Sequence, residues 1–131
     1  MASTNEKVGY SLKGKVTPDF AAAGVEEALR IIEGRWKMLI LFQLFAHGTM
    51  RFSALERAIP AASQKMLIQQ LRDLERDGIV ARKVYPEVPP RVEYSLTAQG
   101  EALCPALDEL LQWALSRKPA ADIALTPSDD C

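Results

Sequence analysis

Ser63, Gln64 and Lys65 open one segment of the chain, SQKMLIQQLRDLERDG, and Gln69 and Arg72 follow within it. These side chains suit recognition through hydrogen bonds and charge. A serine at a helix start offers its hydroxyl and the free backbone N–H groups to a phosphate. Glutamine donates and accepts at once and can bind adenine through two bonds; lysine can reach guanine or a phosphate. Arg51, Arg72, Arg76 and Arg91 are cations of the kind that meet a sugar-phosphate backbone. Covalent chemistry has no comparable set. The sequence holds no nucleophile–base pair, no Gly-rich phosphate loop and no metal cluster, so neither an enzyme nor a cofactor is expected. Taken singly, each residue has a plainer reading. A Ser-Gln-Lys start is an ordinary cap with a solvated face, and Arg91 an ordinary surface charge. Their placement decides between the two.

The elements that must position them are legible as patterns. Leu67, Leu71 and Leu74 recur at i, i+4 and i+7, which predicts a helix from about Gln64 to Asp77. Ser63 is its cap and Gly78 its stop. With the leucines on the core, Gln64, Lys65, Ile68, Gln69 and Arg72 lie on the opposite face. Upstream, RFSALERAIP gives a short helix ended by Pro60, with Ser53 and Glu56 at capping-box spacing. Met50 to Phe52 is a candidate short strand. Downstream, IVARKVY and RVEYSLT flank the Pro-rich PEVPP and read as a hairpin. Arg91 follows Pro89 and Pro90 at its tip, with Arg82 and Lys83 on the neighbouring strand.

Three further helices frame this unit. GVEEALRIIEGRW carries Val25, Ala28, Leu29 and Ile32 at helical spacing. RWKMLILFQLFAHG is apolar on most sides and is expected to be the central pillar of the core. Thr97 caps the last helix, with Leu103, Leu107, Leu110 and Ala114 in one stripe, widened by Leu111 and Leu115. Pro105 is expected to kink or split it. Its apolar surface exceeds what a monomer of this size easily covers.

A short helix, a tight turn, a capped second helix and a hairpin make a winged helix-turn-helix, mainly α with a small β wing. In that geometry the second helix enters the major groove of double-stranded DNA. Residues 1–20 read as a flexible arm, 21–117 as the folded domain and 118–131 as a flexible tail.

Composition is neutral on this point. The chain has 131 residues, a net charge of -1 and a pI near 5.9, whereas nucleic-acid binders are commonly basic. The local balance differs: residues 51–94 hold eight Lys or Arg and six Asp or Glu. Cys104 and Cys131 read as two thiols of a reduced, cytoplasmic protein. The single histidine, His47, has no ligand partner in sequence, so no metal site is expected. The longest apolar run, Trp36 to Ala46, includes Lys37 and Gln43 and falls well short of the ~20 residues of a membrane span.

The segments GRWKMLILFQL, RFSALERAIP, SQKMLIQQLRDLERDGIV and RKVYPEVPPRVEYSLTAQGEAL, with Trp113, resemble the HxlR-type family of bacterial transcription regulators, which is similar in plan to the MarR-like winged helices. The resemblance covers about residues 24–115. It implies a homodimer that binds operator DNA and dimerises through its N- and C-terminal helices. Many members of that family carry a cysteine just ahead of the first helix, and in several that thiol senses quinones, aldehydes or oxidants. This chain reads DFAAAGVEEAL there, without cysteine.

Two other readings stay open on the residues. A small-molecule effector could sit among Trp36, Phe42, Phe45 and Trp113, between the pillar helix and the dimer interface, although core packing is the better account of these residues. A winged helix can also serve as a protein-interaction module.

Overall fold

Three helices begin where a hydroxyl side chain can satisfy a free backbone N–H. Thr17 accepts from the Phe20 amide, Ser63 from that of Met66 and Thr97 from that of Gly100, each at 3.1 Å. The computed structural model describes residues 14–117. Along it run α1 (Pro18–Ile32), α2 (Arg35–His47), β1 (Met50–Arg51), α3 (Phe52–Ala58), α4 (Gln64–Arg76), β2 (Val80–Tyr85), β3 (Arg91–Leu96) and α5 (Ala98–Ser116). The mainly α architecture with a small antiparallel wing is the one expected from sequence.

Helix α1 belongs to one compact unit and everything from Gly34 onward to another. It starts earlier than its apolar period implies, inside the stretch read as an arm. Thr17 caps it, Pro18 sits at its first turn with φ already helical, and Asp19 favours that end. Phe20, Val25 and Leu29 are exposed along it. The rest of the expected arm, residues 1–13, and the expected tail, 118–131, lie outside the described residues.

In the second unit, α2 contributes the fully buried Ile40, Leu41 and Leu44. Against the same core α3 places Leu55, α4 places Leu67, Leu71 and Leu74, and the sheet places Val80 and Tyr94. Helix α4 ends in a Schellman motif: the Gly78 N–H donates to Glu75 at 3.1 Å and the Ile79 N–H to Leu74 at 2.9 Å. Gly78 takes φ +78°, which a side chain would disfavour. This turn starts β2 directly under the core.

The sheet order is β1-β3-β2, antiparallel throughout. Val80 faces Leu96, Arg82 faces Tyr94 and Tyr85 faces Arg91. Strand β1 adds Met50 opposite Tyr94 and Arg51 opposite Glu93. The Thr97 hydroxyl also donates to the Gly78 carbonyl at 2.6 Å, tying the start of α5 to the end of α4. Gly100 then meets the sheet so closely that a Cβ would stand 2.2 Å from the Ile79 carbonyl oxygen.

Three expectations are corrected. Ser53 does not cap α3: pairing with β3 keeps Arg51 extended, so the helix begins at Phe52 with Arg51 as its uncapped N-terminal neighbour. Pro105 does not split α5, which runs from Ala98 to Ser116. The carbonyl that the proline leaves without a helical donor is that of Glu101, on an exposed turn where solvent can serve it. Cys104 is buried and disulfide-bonded rather than carried as a thiol. Cys131 lies outside the described residues.

Candidate nucleic-acid interface

The leucine stripe of α4 fixes which face remains outside. Leu67, Leu71 and Leu74 are completely buried, and Ser63, Gln64, Lys65, Gln69 and Arg72 are exposed. The Ser63 hydroxyl accepts from the Met66 amide, so its cap role holds and the remaining N–H groups of the first turn face outward.

Between α4 and the wing runs a groove of about 710 Å³. Arg51, Gln64, Arg72 and Arg91 line it, so the fold gathers four of the seven residues singled out from sequence. Ser63 and Lys65 lie outside the groove, at the exposed N-terminal end of α4. Gln69 is turned elsewhere: its amide donates to Asp73 Oδ1 at 3.2 Å. Asp73 is a hub, accepting also from Arg76 at 3.1 Å and pairing with Lys37 of α2 at 3.8 Å. The pair with Lys37 spans two helices, with side chains only 11% and 20% exposed. It holds α4 against the pillar on the side away from the groove.

The groove also recruits residues that were not among the candidates. Arg82 lies beside Tyr94 in register and pairs with Glu75 of α4 at 3.5 Å. Burial raises the pKa of the Tyr94 hydroxyl, with Arg82 working against the shift and Glu75 adding to it. The hydroxyl therefore stays protonated on the groove wall as a neutral donor. Period-2 alternation places Tyr94 on the core face; only the strand register reveals Arg82 as its neighbour.

Arg91 lines the groove but is held within the wing. Its side chain is 26% exposed, and its guanidinium carbon lies 3.9 Å from the Tyr85 ring centroid. Its Nε stands 3.5 Å from Glu93 and 3.9 Å from Glu87, buried and without a hydrogen bond.

None of the four candidate effector residues lines the groove. Phe42 and Phe45 meet edge to face at 5.2 Å. Trp36 lies under Arg35 and Trp113 under Arg117, at 5.0 and 5.3 Å.

A family model described as HxlR-like helix-turn-helix matches residues 31–121. The chain belongs to the HxlR-like family. Among its relatives, the HTH-type transcriptional regulator YkvN of Bacillus subtilis strain 168 is 52% identical over 92 residues, covering 70% of this chain and 77% of YkvN. A structure assigned to the MarR family of transcriptional regulators, from Enterococcus faecalis V583, matches with a TM-score of 0.70 at 38% identity, covering 79% of this chain and 90% of that one. The reduced form of the transcriptional regulator YodB from B. subtilis matches with a TM-score of 0.65 at 36% identity, covering 78% and 94%. This HxlR-like chain is thus a DNA-binding helix-turn-helix regulator and not an enzyme. Among the described residues, no helix is long and apolar enough to cross a membrane.

Proposed function

We propose that this HxlR-like regulator acts in the cytoplasm as a homodimer on a roughly palindromic operator, with α4 of each protomer in the major groove. The observation that carries the reading is the exposed row Ser63, Gln64, Lys65 and Arg72 on a helix whose other face is wholly buried. Gln64 and Lys65 are the base readers, because they lie at the N-terminal end of α4, which leads into the groove. Ser63, Arg51 and Arg72 meet phosphates. Gln69 can join the readers on leaving Asp73. Two such helices related by a two-fold axis address half-sites about one helical turn apart, ~34–36 Å.

Dimerisation through α1 and α5 is supported by what they leave uncovered. Leu110, Leu111 and Trp113 on α5 are each more than two-fifths exposed, as are Phe20, Val25 and Leu29 on α1. Large apolar side chains grouped in this way mark contact surfaces.

Fluorescence anisotropy tests the reading, using a labelled duplex from upstream of the protein's own gene and a random duplex of equal length. Tight binding to the first and weak binding to the second supports it, provided Gln64→Ala and Lys65→Ala narrow the gap. Equal affinity for both duplexes, unchanged by the substitutions, contradicts it.

A further inference from the structure

We propose that Asp73 is the positioning residue that decides which bases Gln69 accepts. By holding the Gln69 amide nitrogen it leaves the carbonyl oxygen as the edge offered to DNA. The position then favours a base with an exocyclic amine, adenine or cytosine. The proposal rests on the DNA-binding reading above and sharpens it: Gln69 need not leave Asp73 to read.

Gln69 is two residues from both Leu67 and Leu71, so it stands on the side of α4 opposite the buried stripe. Lys65 is one turn before it and Arg72 one turn after, which sets it between a base reader and a phosphate ligand. Its Nε2 donates to Asp73 Oδ1 at 3.2 Å. A Gln–Asp bond at i, i+4 is ordinary on a helix surface; the anchoring of this carboxylate is not. Oδ1 also accepts from Arg76 Nη1 at 3.1 Å, and Oδ2 stands 3.8 Å from Nζ of Lys37, whose side chain is 11% exposed. Asp73 is thus held from the core side and from the surface side at once. A carboxylate only accepts, so the nitrogen is the atom of the Gln69 amide that it holds. A free glutamine can turn either edge to a base and binds adenine through two bonds. Here the nitrogen is drawn back one turn toward Asp73, and a single acceptor is left over. In the major groove adenine N6 and cytosine N4 donate, whereas guanine N7 and O6 and thymine O4 accept. An outward oxygen therefore separates these two pairs of bases.

The specificity profile tests this, because a purely structural role for Asp73 would weaken all sequences alike. Selection from a duplex library randomised within the upstream site is the measurement. Wild-type protein is expected to favour adenine and cytosine over guanine and thymine about fivefold at one position of each half-site. Gln69→Ala flattens that position and no other. Asp73→Asn supplies an amide that donates as well as accepts, so Gln69 can turn either edge outward. The preference at the same position is lost and the rest of the motif is kept. The double variant matches Gln69→Ala there, since Asp73 acts through Gln69. Wild-type protein gives a second readout if Asp73→Asn disturbs folding. At that position purine, which lacks the N6 amine, binds about fivefold more weakly than adenine, and 7-deazaadenine, which lacks N7, binds as adenine does. The proposal is overturned if Asp73→Asn selects the wild-type motif, or if Gln69→Ala flattens no position. It is equally overturned if the position favours adenine alone and depends on N7, as a free bidentate glutamine would. A wild-type protein that enriches no motif would instead remove the DNA-binding reading itself.

Discussion

Arg91 and Tyr85 face each other across the last rung of the wing, directly below its tip, the guanidinium carbon 3.9 Å from the ring centroid and the two residues in direct antiparallel register. The pairing converts a cation beside a candidate DNA groove into part of the hairpin's own structure. Replacing Tyr85 by Leu removes the π face and leaves most of the apolar bulk. The loss in stability is expected to be small, about 0.5–1 kcal/mol, as for a cation–π contact near the surface. Urea denaturation measures it. DNA affinity is expected to fall in the same variant, because the tip loses its base.

The readers and the phosphate ligands respond differently. Lys65→Ala is expected to cost about 1–3 kcal/mol on the cognate site and to relax base preference there. Arg72→Ala weakens cognate and random duplexes alike and lowers the salt slope by about 0.9. Anisotropy titrations at several salt concentrations distinguish the two.

Gly100→Ala tests how closely α5 approaches β2. A Cβ at this position would stand 2.2 Å from the Ile79 carbonyl oxygen, an atom that also accepts from the Thr97 amide at 3.0 Å. The backbone must shift to accept the methyl group. A net loss of about 1–3 kcal/mol is expected even though alanine favours helix. Thermal unfolding followed by circular dichroism reads it as a lower Tm.

Asp73→Asn keeps the shape of the hub but removes its charge. The Lys37 ammonium, 11% exposed, then loses its partner carboxylate. Because the pair remains partly solvated, a loss of roughly 1 kcal/mol is expected. DNA affinity is expected to fall less than in Arg72→Ala, since Asp73 braces α4 from behind. Chemical denaturation and anisotropy on one protein preparation check both parts.

Trp113→Glu replaces a ring that is 61% exposed on α5 with a carboxylate. Under the proposed assembly the variant is a folded monomer, which sedimentation velocity identifies by mass. An unchanged mass would remove α5 from the interface.

The parts legible in the sequence were those set by neighbours along the chain. The Leu67, Leu71 and Leu74 stripe and the Ser63 and Thr97 caps each state a local preference, and the fold keeps them; RVEYSLT forms a strand as expected, but only Tyr94 of it is buried, so its two faces do not alternate in burial. Pairings across elements were not legible. The stack of Arg91 on Tyr85 depends on how many residues the tip consumes, which sets the register. Arg82 joins the groove only because β2 pairs with β3 opposite Tyr94. Ser53 lost its expected cap role to a strand pairing more than forty positions away in sequence. Gln69 has the right exposure for a reader, yet a carboxylate one turn along the same helix holds its amide.

Dimethyl sulfate protection of the upstream duplex tests the central claim most directly, because it reports guanine N7, an atom of the major groove. The account predicts two protected patches about 10 base pairs apart, both lost or weakened in Lys65→Ala. Binding that leaves every guanine N7 in the site as reactive as in free DNA would contradict the placement of α4 in the major groove.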